Sequence, residues 1–229
     1  VAWREGDTLF QSIELERNWL KLPFAAMRSC RSASVTLGAI LRATSRETFV
    51  PVSTLAAYGG LPVSTVRKHL LRLHDAGWIE DRGRETTRRG WLRRTATIRL
   101  TAATRAALTD EGYGVLPRQA ATLSWPARGV LSVVLARLMK LKKAVDEQYG
   151  VTDEEEVYDA MANLGDWRFS LTFLADKTGL DRKSIVLGKR ELCRAGLIVV
   201  SMGDTVQSPD LIEPDPTYRF PKVEEDCAW

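Results

Sequence analysis

Apolar and polar positions follow two rhythms along the chain. Over residues 33–43, Val35, Leu37, Ile40 and Leu41 recur at near-helical spacing, which predicts a helix with that side turned to a core. A short helix is predicted from Ser53, as N-cap, to Tyr58, and Gly59-Gly60 ends it. A third helix is predicted over about 62–76. Pro62 suits its start, Val66, Leu70 and Leu73 form an i, i+4, i+7 stripe, and Gly77 stops it. The rhythm then changes. Trp78-Ile79-Glu80-Asp81 and residues 95–101, where Ile98 and Leu100 alternate, read as two antiparallel strands joined by a long basic loop.

The same pattern returns further along. Residues 53–79 align on 172–198 without a gap, at an offset of 119. Leu55, Ala56, Gly60, Leu61, Leu73, Ala76, Gly77 and Ile79 meet Leu174, Ala175, Gly179, Leu180, Leu192, Ala195, Gly196 and Ile198. Upstream the offset is 94: Leu22-Pro23 meets Leu116-Pro117, Leu37 meets Leu131, and Ile40-Leu41 meets Val134-Leu135. The second copy therefore carries an insertion of 25 residues, within about 139–166. Its predicted parts are a first helix over 126–143, an inserted helix capped by Thr152 with Glu155 in capping-box position, a third helix over 181–195, and strands at 197–201 and 217–220. Ile185 and Leu192 face the core of that third helix, whereas Lys189 stands in the place of Leu70 and puts the helix's rotation in question. The expected organisation is an arm (1–21), a first unit (22–113), a second unit (115–221) with the helical insertion, and a tail (222–229).

The run L-A-x(3)-G-L-x(3)-T-V-x(6)-L-x-x-A-G-W-I, from Leu55 to Ile79, resembles the helix–turn–helix core of winged-helix DNA-binding proteins. The likeness covers 53–101 and, more loosely, 172–220. It implies a mainly α fold with small β-hairpin wings (α+β), made of two tandem winged-helix domains from an internal duplication. Two such units in one chain, each opened by a Leu-Pro segment and an apolar helix, resemble the replication initiators of plasmids and phages. Those proteins bind repeated origin sites and often repress their own promoter. Winged helix-turn-helix transcriptional regulators share the same DNA chemistry, so replication and transcription stay open as roles. A third alternative is a winged-helix protein–protein scaffold.

Charge sharpens this picture. Residues 22–114 hold 15 Lys and Arg against 7 Asp and Glu, whereas residues 115–221 hold 14 against 15. A surplus of positive charge gives one half a counterion-release drive toward duplex DNA that the other lacks. The first wing carries Arg82, Arg84, Arg88, Arg89, Arg93 and Arg94, suited to a narrow minor groove. The third helix of the first unit offers Val63, Ser64, Thr65, Arg67, Lys68, Leu71 and Arg72 to a major groove. In the second unit Arg182, Lys183 and Arg190 offer a smaller set beside an acidic wing with Asp204, Asp210, Glu213 and Asp215. That unit either docks its helix without its wing or serves protein contacts.

Little else competes. No phosphate-binding glycine loop, nucleophile elbow or zinc-protease motif occurs, so no enzyme is expected. His69 and His74 are five apart, a poor spacing for metal on one helix face, and are expected at the surface or on phosphates. Asp153–Glu156 complements a helix dipole better than it builds a metal site. No metal or cofactor is expected. Three separated cysteines, the absence of a leader-like start and an apolar stretch at 129–139 broken by Arg137 point to a cytoplasmic protein with no membrane partner. The expected partners are double-stranded DNA and a second copy of the chain, joined through the arm or the second unit. The arm, with Leu9, Phe10, Ile13, Leu15, Trp19 and Leu20, is too apolar to lie free and is expected either to pack on the first unit or to pair with another copy.

Overall fold

A computed structural model describes residues 19–43, 47–81, 95–149, 168–201 and 210–214. The elements run β1 (Trp19–Pro23), α1 (Phe24–Cys30), α2 (Ala33–Ala43), β2 (Glu47–Pro51), α3 (Val52–Gly59), α4 (Val63–Asp75), β3 (Ile79–Asp81), β4 (Thr95–Leu100), α5 (Ala102–Asp110) and β5 (Tyr113–Pro117). A 3-10 turn (Arg118–Thr122) leads into α6 (Trp125–Tyr149), β6 (Arg168–Phe169), α7 (Leu171–Thr178), α8 (Arg182–Arg194), β7 (Ile198–Ser201) and β8 (Asp210–Pro214). The protein is mainly helical with small antiparallel sheets, an α+β fold.

Both halves use the same parts. The first has a three-stranded sheet in the order β2-β4-β3, the second in the order β6-β8-β7, so in each the last strand lies in the middle. Helices α3 and α7, and likewise α4 and α8, start and stop 119 residues apart. The turns match as well. Gly60 and Gly179 end α3 and α7 in the left-handed region, at φ 58° and 67°. That backbone is cheap for glycine and strained for residues with a Cβ, which is why the same residue punctuates both copies.

Several expectations shift in detail. Helix α3 begins at Val52 after Pro51, so Ser53 lies inside it rather than capping it. A strand, β2, precedes α3 where none was expected; Glu47–Pro51 pairs with Thr95–Arg99. Helix α5 was not expected either. Thr101 caps it by accepting from the Thr104 N–H, and Thr104 Oγ1 donates to the Trp78 carbonyl. Helix α6 runs on to Tyr149, into the insertion. A strand at Asp210–Pro214 was not expected, and Ile212 is the apolar residue through which it reaches the core. Residues 217–220, Thr152 and Glu155 lie outside the described residues.

The halves are joined by a feature the pattern did not announce. Strands β1 and β5, which contain the two Leu-Pro segments, pair with each other antiparallel, from Trp19↔Pro117 to Pro23↔Tyr113. The central pair is Lys21↔Val115, whose separation of 94 is the upstream repeat offset. Trp19 and Leu20 are buried in this ribbon, so the described end of the arm packs within the chain. The boundary drawn at 113–115 falls inside β5. Leu20, Leu22, Val115 and Leu116 lie over α2 and α6, and one hydrophobic cluster runs through both halves. Gly38 on α2 lets the ribbon close in: a Cβ there would meet Leu22 at 2.8 Å and the Lys21 carbonyl at 3.0 Å. The halves also grip crosswise. Helix α1 packs on α7, where a Cβ on Gly179 would lie 2.7 Å from Arg28 Cα, and the 3-10 turn touches α3. Among the described residues, no helix is long and apolar enough to cross a membrane.

Candidate nucleic-acid interface

Helix α4 is built to bury one stripe and present another. Val66 and Leu73 are fully buried and Leu70 is half-buried. The opposite side carries Ser64, Arg67, Lys68, Leu71 and Arg72, all exposed, with Val63 exposed at the start and Thr65 half-buried. Those positions follow i, i+3, i+4, i+7 and i+8 and share a face. Leu71 keeps 66 % of its surface, high for a leucine in a helix of a packed domain. Short hydroxyls, branched methyls and three cations on one face can meet base edges, thymine methyls and phosphates together.

Helix α8 repeats the geometry with other side chains. Ile185 and Leu192 are buried, and so are Gly188 and Lys189. The rotation matches that of α4, because the aliphatic stem of Lys189 takes the place of Leu70. Arg182, Lys183, Leu187, Arg190 and Arg194 are exposed. Arg182 and Lys183 replace Val63 and Ser64, and Arg190 replaces Leu71. Leu187, at the position of Lys68, is 51 % exposed. Leu187 and Arg194 were not singled out in the sequence; the offset of 119 onto Lys68 and Asp75 would have found them.

The helix starts differ. Pro62 precedes α4 and provides no side-chain cap; the Thr65 and Val66 amides donate to its carbonyl, and no side chain closes the front of the helix. Asp181 holds the same place before α8, and its carboxylate accepts from the Ser184 N–H and Oγ, each at 2.8 Å. These hydrogen bonds, from the Ser184 backbone first, hold the Asp181 carboxyl below its ordinary range. The start of α8 thus carries its own anion, while the start of α4 is free to face another.

Behind the two helices the packing differs in kind. His69, on the flank of α4, is half-buried. Its Nδ1 lies 2.9 Å from Thr36 Oγ1 and its Nε2 3.4 Å from Ser32 Oγ. Burial, then the charges of Arg72 and Arg128, push its pKa below the ordinary value. His69 thus ties α4 to α2. His74 is exposed, 3.5 Å from Asp75. At the place of His69, α8 has Gly188. A Cβ there would lie 2.7 Å from the Pro126 carbonyl carbon and oxygen, so the α6 and α8 backbones touch where α2 and α4 are spaced by a ring. At the place of Arg72 stands Glu191, half-buried against the start of α6. It accepts from the Ser124 N–H at 2.8 Å and from Ser124 Oγ, and so caps α6. Glu191 also supports Arg128, whose guanidinium is pulled down by burial.

Val63, Ser64, Thr65, Arg67, Lys68 and Arg72 are therefore on or beside one exposed face, and Arg182, Lys183 and Arg190 are exposed on its counterpart. Arg82, Arg84, Arg88, Arg89, Arg93 and Arg94 lie outside the described residues, between β3 and β4. Their strands are in place: Glu80 pairs with Arg99 across the sheet, with side chains 4.0 Å apart. Among the described residues no group of three His, Cys, Asp or Glu could hold a metal ion. Comparison with known proteins returns no matching family model, no matching curated protein and no matching solved structure.

Proposed function

We propose that the chain is a sequence-specific double-stranded DNA-binding protein made of two tandem winged-helix units that arose by internal duplication. One observation carries the reading. In each half a helix–turn–helix is followed by a strand pair whose last strand inserts in the middle of the sheet, and the second helix of each pair presents cations on its open face. This is the order in which winged-helix proteins place a recognition helix and a wing. The first half supplies the anchor: it holds the charge surplus, the open helix start and the arginine-rich wing.

The ribbon adds a geometric consequence. A strand pair centred on Lys21↔Val115, equivalent positions of the two copies, relates the units by a local two-fold axis. Recognition helices related in this way meet duplex DNA with opposite polarity, so one chain spans two half-sites of unlike sequence. That design suits the plasmid- or phage-type replication initiator and autoregulator that the sequence resembles. A repressor is the alternative role, and flanking DNA distinguishes the two: direct repeats beside an origin, or an inverted repeat over a promoter. The exposed Phe173, Leu187 and Val199 of the second half favour a protein contact there in addition.

The test is a gel-shift titration of the intact chain on random duplex and on a selected site, repeated across salt. Affinity is expected to fall steeply with salt, and Arg88→Ala with Arg89→Ala to lower the log–log slope by about two, at ~0.9 per phosphate contact. Salt-independent binding, or none, overturns the proposal. The intact chain is required, because a cut at 114 would sever β5.

A further inference from the structure

Where α1 and the end of α5 meet α6, β6 and α7, the surface opens into a cavity of about 400 Å³. Its walls include four aromatic rings: Phe24, Tyr113, Phe169 and Phe173. Phe169 and Phe173 are tilted against each other at 6.1 Å. The charged groups on its lining are Arg137 and Lys140, one turn apart on α6, Lys177 on α7, and Glu111. Lys177 Nζ sits between rings from both halves, 5.5 Å from the centre of Phe24 and 5.8 Å from that of Phe173. The carboxylate of Glu111 is ion-paired with Arg28, and Asp176 lies 3.6 Å from Lys177. Phe173 and Lys140 are exposed, so the cavity opens on their side.

Such a lining leaves two costs unmet. The ring of Phe173 stays wet and that of Tyr113 is only half-covered, and Arg137, Lys140 and Lys177 gather positive charge around one space. A purely apolar ligand would relieve only the first and an inorganic anion only the second. We propose that this cavity binds a compact aromatic anion, a planar ring carrying one acidic group, held between the two halves of the chain. The ring stacks among Phe24, Phe169 and Phe173, and the acidic group meets Arg137, Lys140 and Lys177. The volume lies in the range of small-molecule pockets, roughly 300–1,000 Å³. Aromatic carboxylates and nucleoside monophosphates share this chemistry. Phe24 comes from one half and Phe173 from the other, so the ligand bridges the halves and stabilises their arrangement. None of the lining residues lies on α4 or α8, so occupancy is separable from the proposed DNA contacts.

Isothermal titration of the intact chain at low salt tests this, with 2-naphthoate in one arm and adenosine monophosphate in the other. Saturable one-to-one binding of at least one probe is expected, with Kd below about 1 mM. The probe that binds identifies the source as carboxylate or nucleotide. Phe173→Ala and Arg137→Gln are each expected to weaken it about fivefold or more, and 2-naphthalenemethanol and inorganic phosphate to bind about tenfold more weakly than the better probe. Lys68→Ala, on α4, leaves it unchanged, so this result stands or falls apart from DNA binding. If Phe173→Ala does not fold, Lys140→Gln, at an exposed position, carries the same test. Failure of both probes to saturate, or unchanged binding in folded variants, overturns the proposal.

Discussion

Helices α4 and α8 occupy equivalent places in the two halves, have equal length and bury the same stripe, yet they are not equivalent surfaces. Helix α4 is spaced from its neighbour by a hydrogen-bonded ring, His69, and turns Arg72 outward. Helix α8 touches its neighbour backbone to backbone at Gly188, spends Glu191 on the cap of α6, and fills its own start with Asp181. At the place where the first half presents Arg72, the second has Glu191 hydrogen-bonded to the start of α6. The two halves share a frame, while charge and exposure differ position by position on it.

The comparison is broken most severely at Gly188. A methyl there meets backbone atoms of Pro126 and Ala127 that have no rotamer to yield. Gly188→Ala is expected to destabilise the protein by about 2–4 kcal/mol, read from the urea midpoint. Loss of under about 0.5 kcal/mol would show that α6 and α8 are not in such close contact. Next comes the proposed DNA surface. Arg67→Ala is expected to cost about 1–3 kcal/mol against the best site and to relax base preference at one position. On the proposed reading, in which the second half adds contacts once the first is anchored, Arg190→Ala should cost less. Competition binding with base-substituted duplexes checks this, and the reverse order would make the second half the anchor.

A smaller effect separates Glu191 from Arg72. Glu191→Ala leaves the Ser124 amide without its acceptor and is expected to cost about 1 kcal/mol of stability. Arg72→Ala should change stability by less than about 0.5 kcal/mol while weakening DNA binding. Denaturation and gel-shift on the same pair of variants separate these roles.

The smallest effect is pH-dependent and belongs to the first half. The folded-state pKa of His69 is depressed, so below its ordinary value of 6.5 the unfolded chain binds a proton that the folded chain resists. Its contribution is fully present above 6.5 and is lost as pH falls through the folded value. His74 is exposed beside Asp75, and the charges facing His69 are those of Arg72 and Arg128. His69→Gln should therefore flatten the fall in urea midpoint between about pH 7 and pH 5.5. An unchanged fall would assign it to other groups.

Elements with a strong period were legible in the chain. Val35 to Leu41 marked α2 from end to end, and the matched run at an offset of 119 placed α3, α4, α7 and α8 within a residue or two. The strands at 79–81, 95–100 and 198–201 were legible too, but others were not. Glu47–Pro51 carries no alternation that separates it from a loop, and Arg168–Phe169 is two residues long; both exist because β4 and β8 offer them a free edge. Pro214 disguised β8, since proline within a run argues against a strand, although at the end of β8 it costs the ladder little. On the candidate surface, the outward positions of α4 followed from the buried stripe alone. The inward turn of Glu191 and the packing of His69 did not, because each depends on a partner, Ser124 or Thr36, more than thirty residues away.

The sequence by itself determined the repeat, the helix faces, the glycine stops and the uneven charge, because each depends on neighbours within a few turns of chain or on simple counting. Tertiary structure alone decided that the two Leu-Pro segments pair with each other and that one core runs through both halves. It also decided which polar side chains face outward. Strand partners, backbone approaches such as Gly188 on Pro126, and the burial of a histidine or a glutamate are set by what lies across the contact, and no local pattern records the other side of a contact.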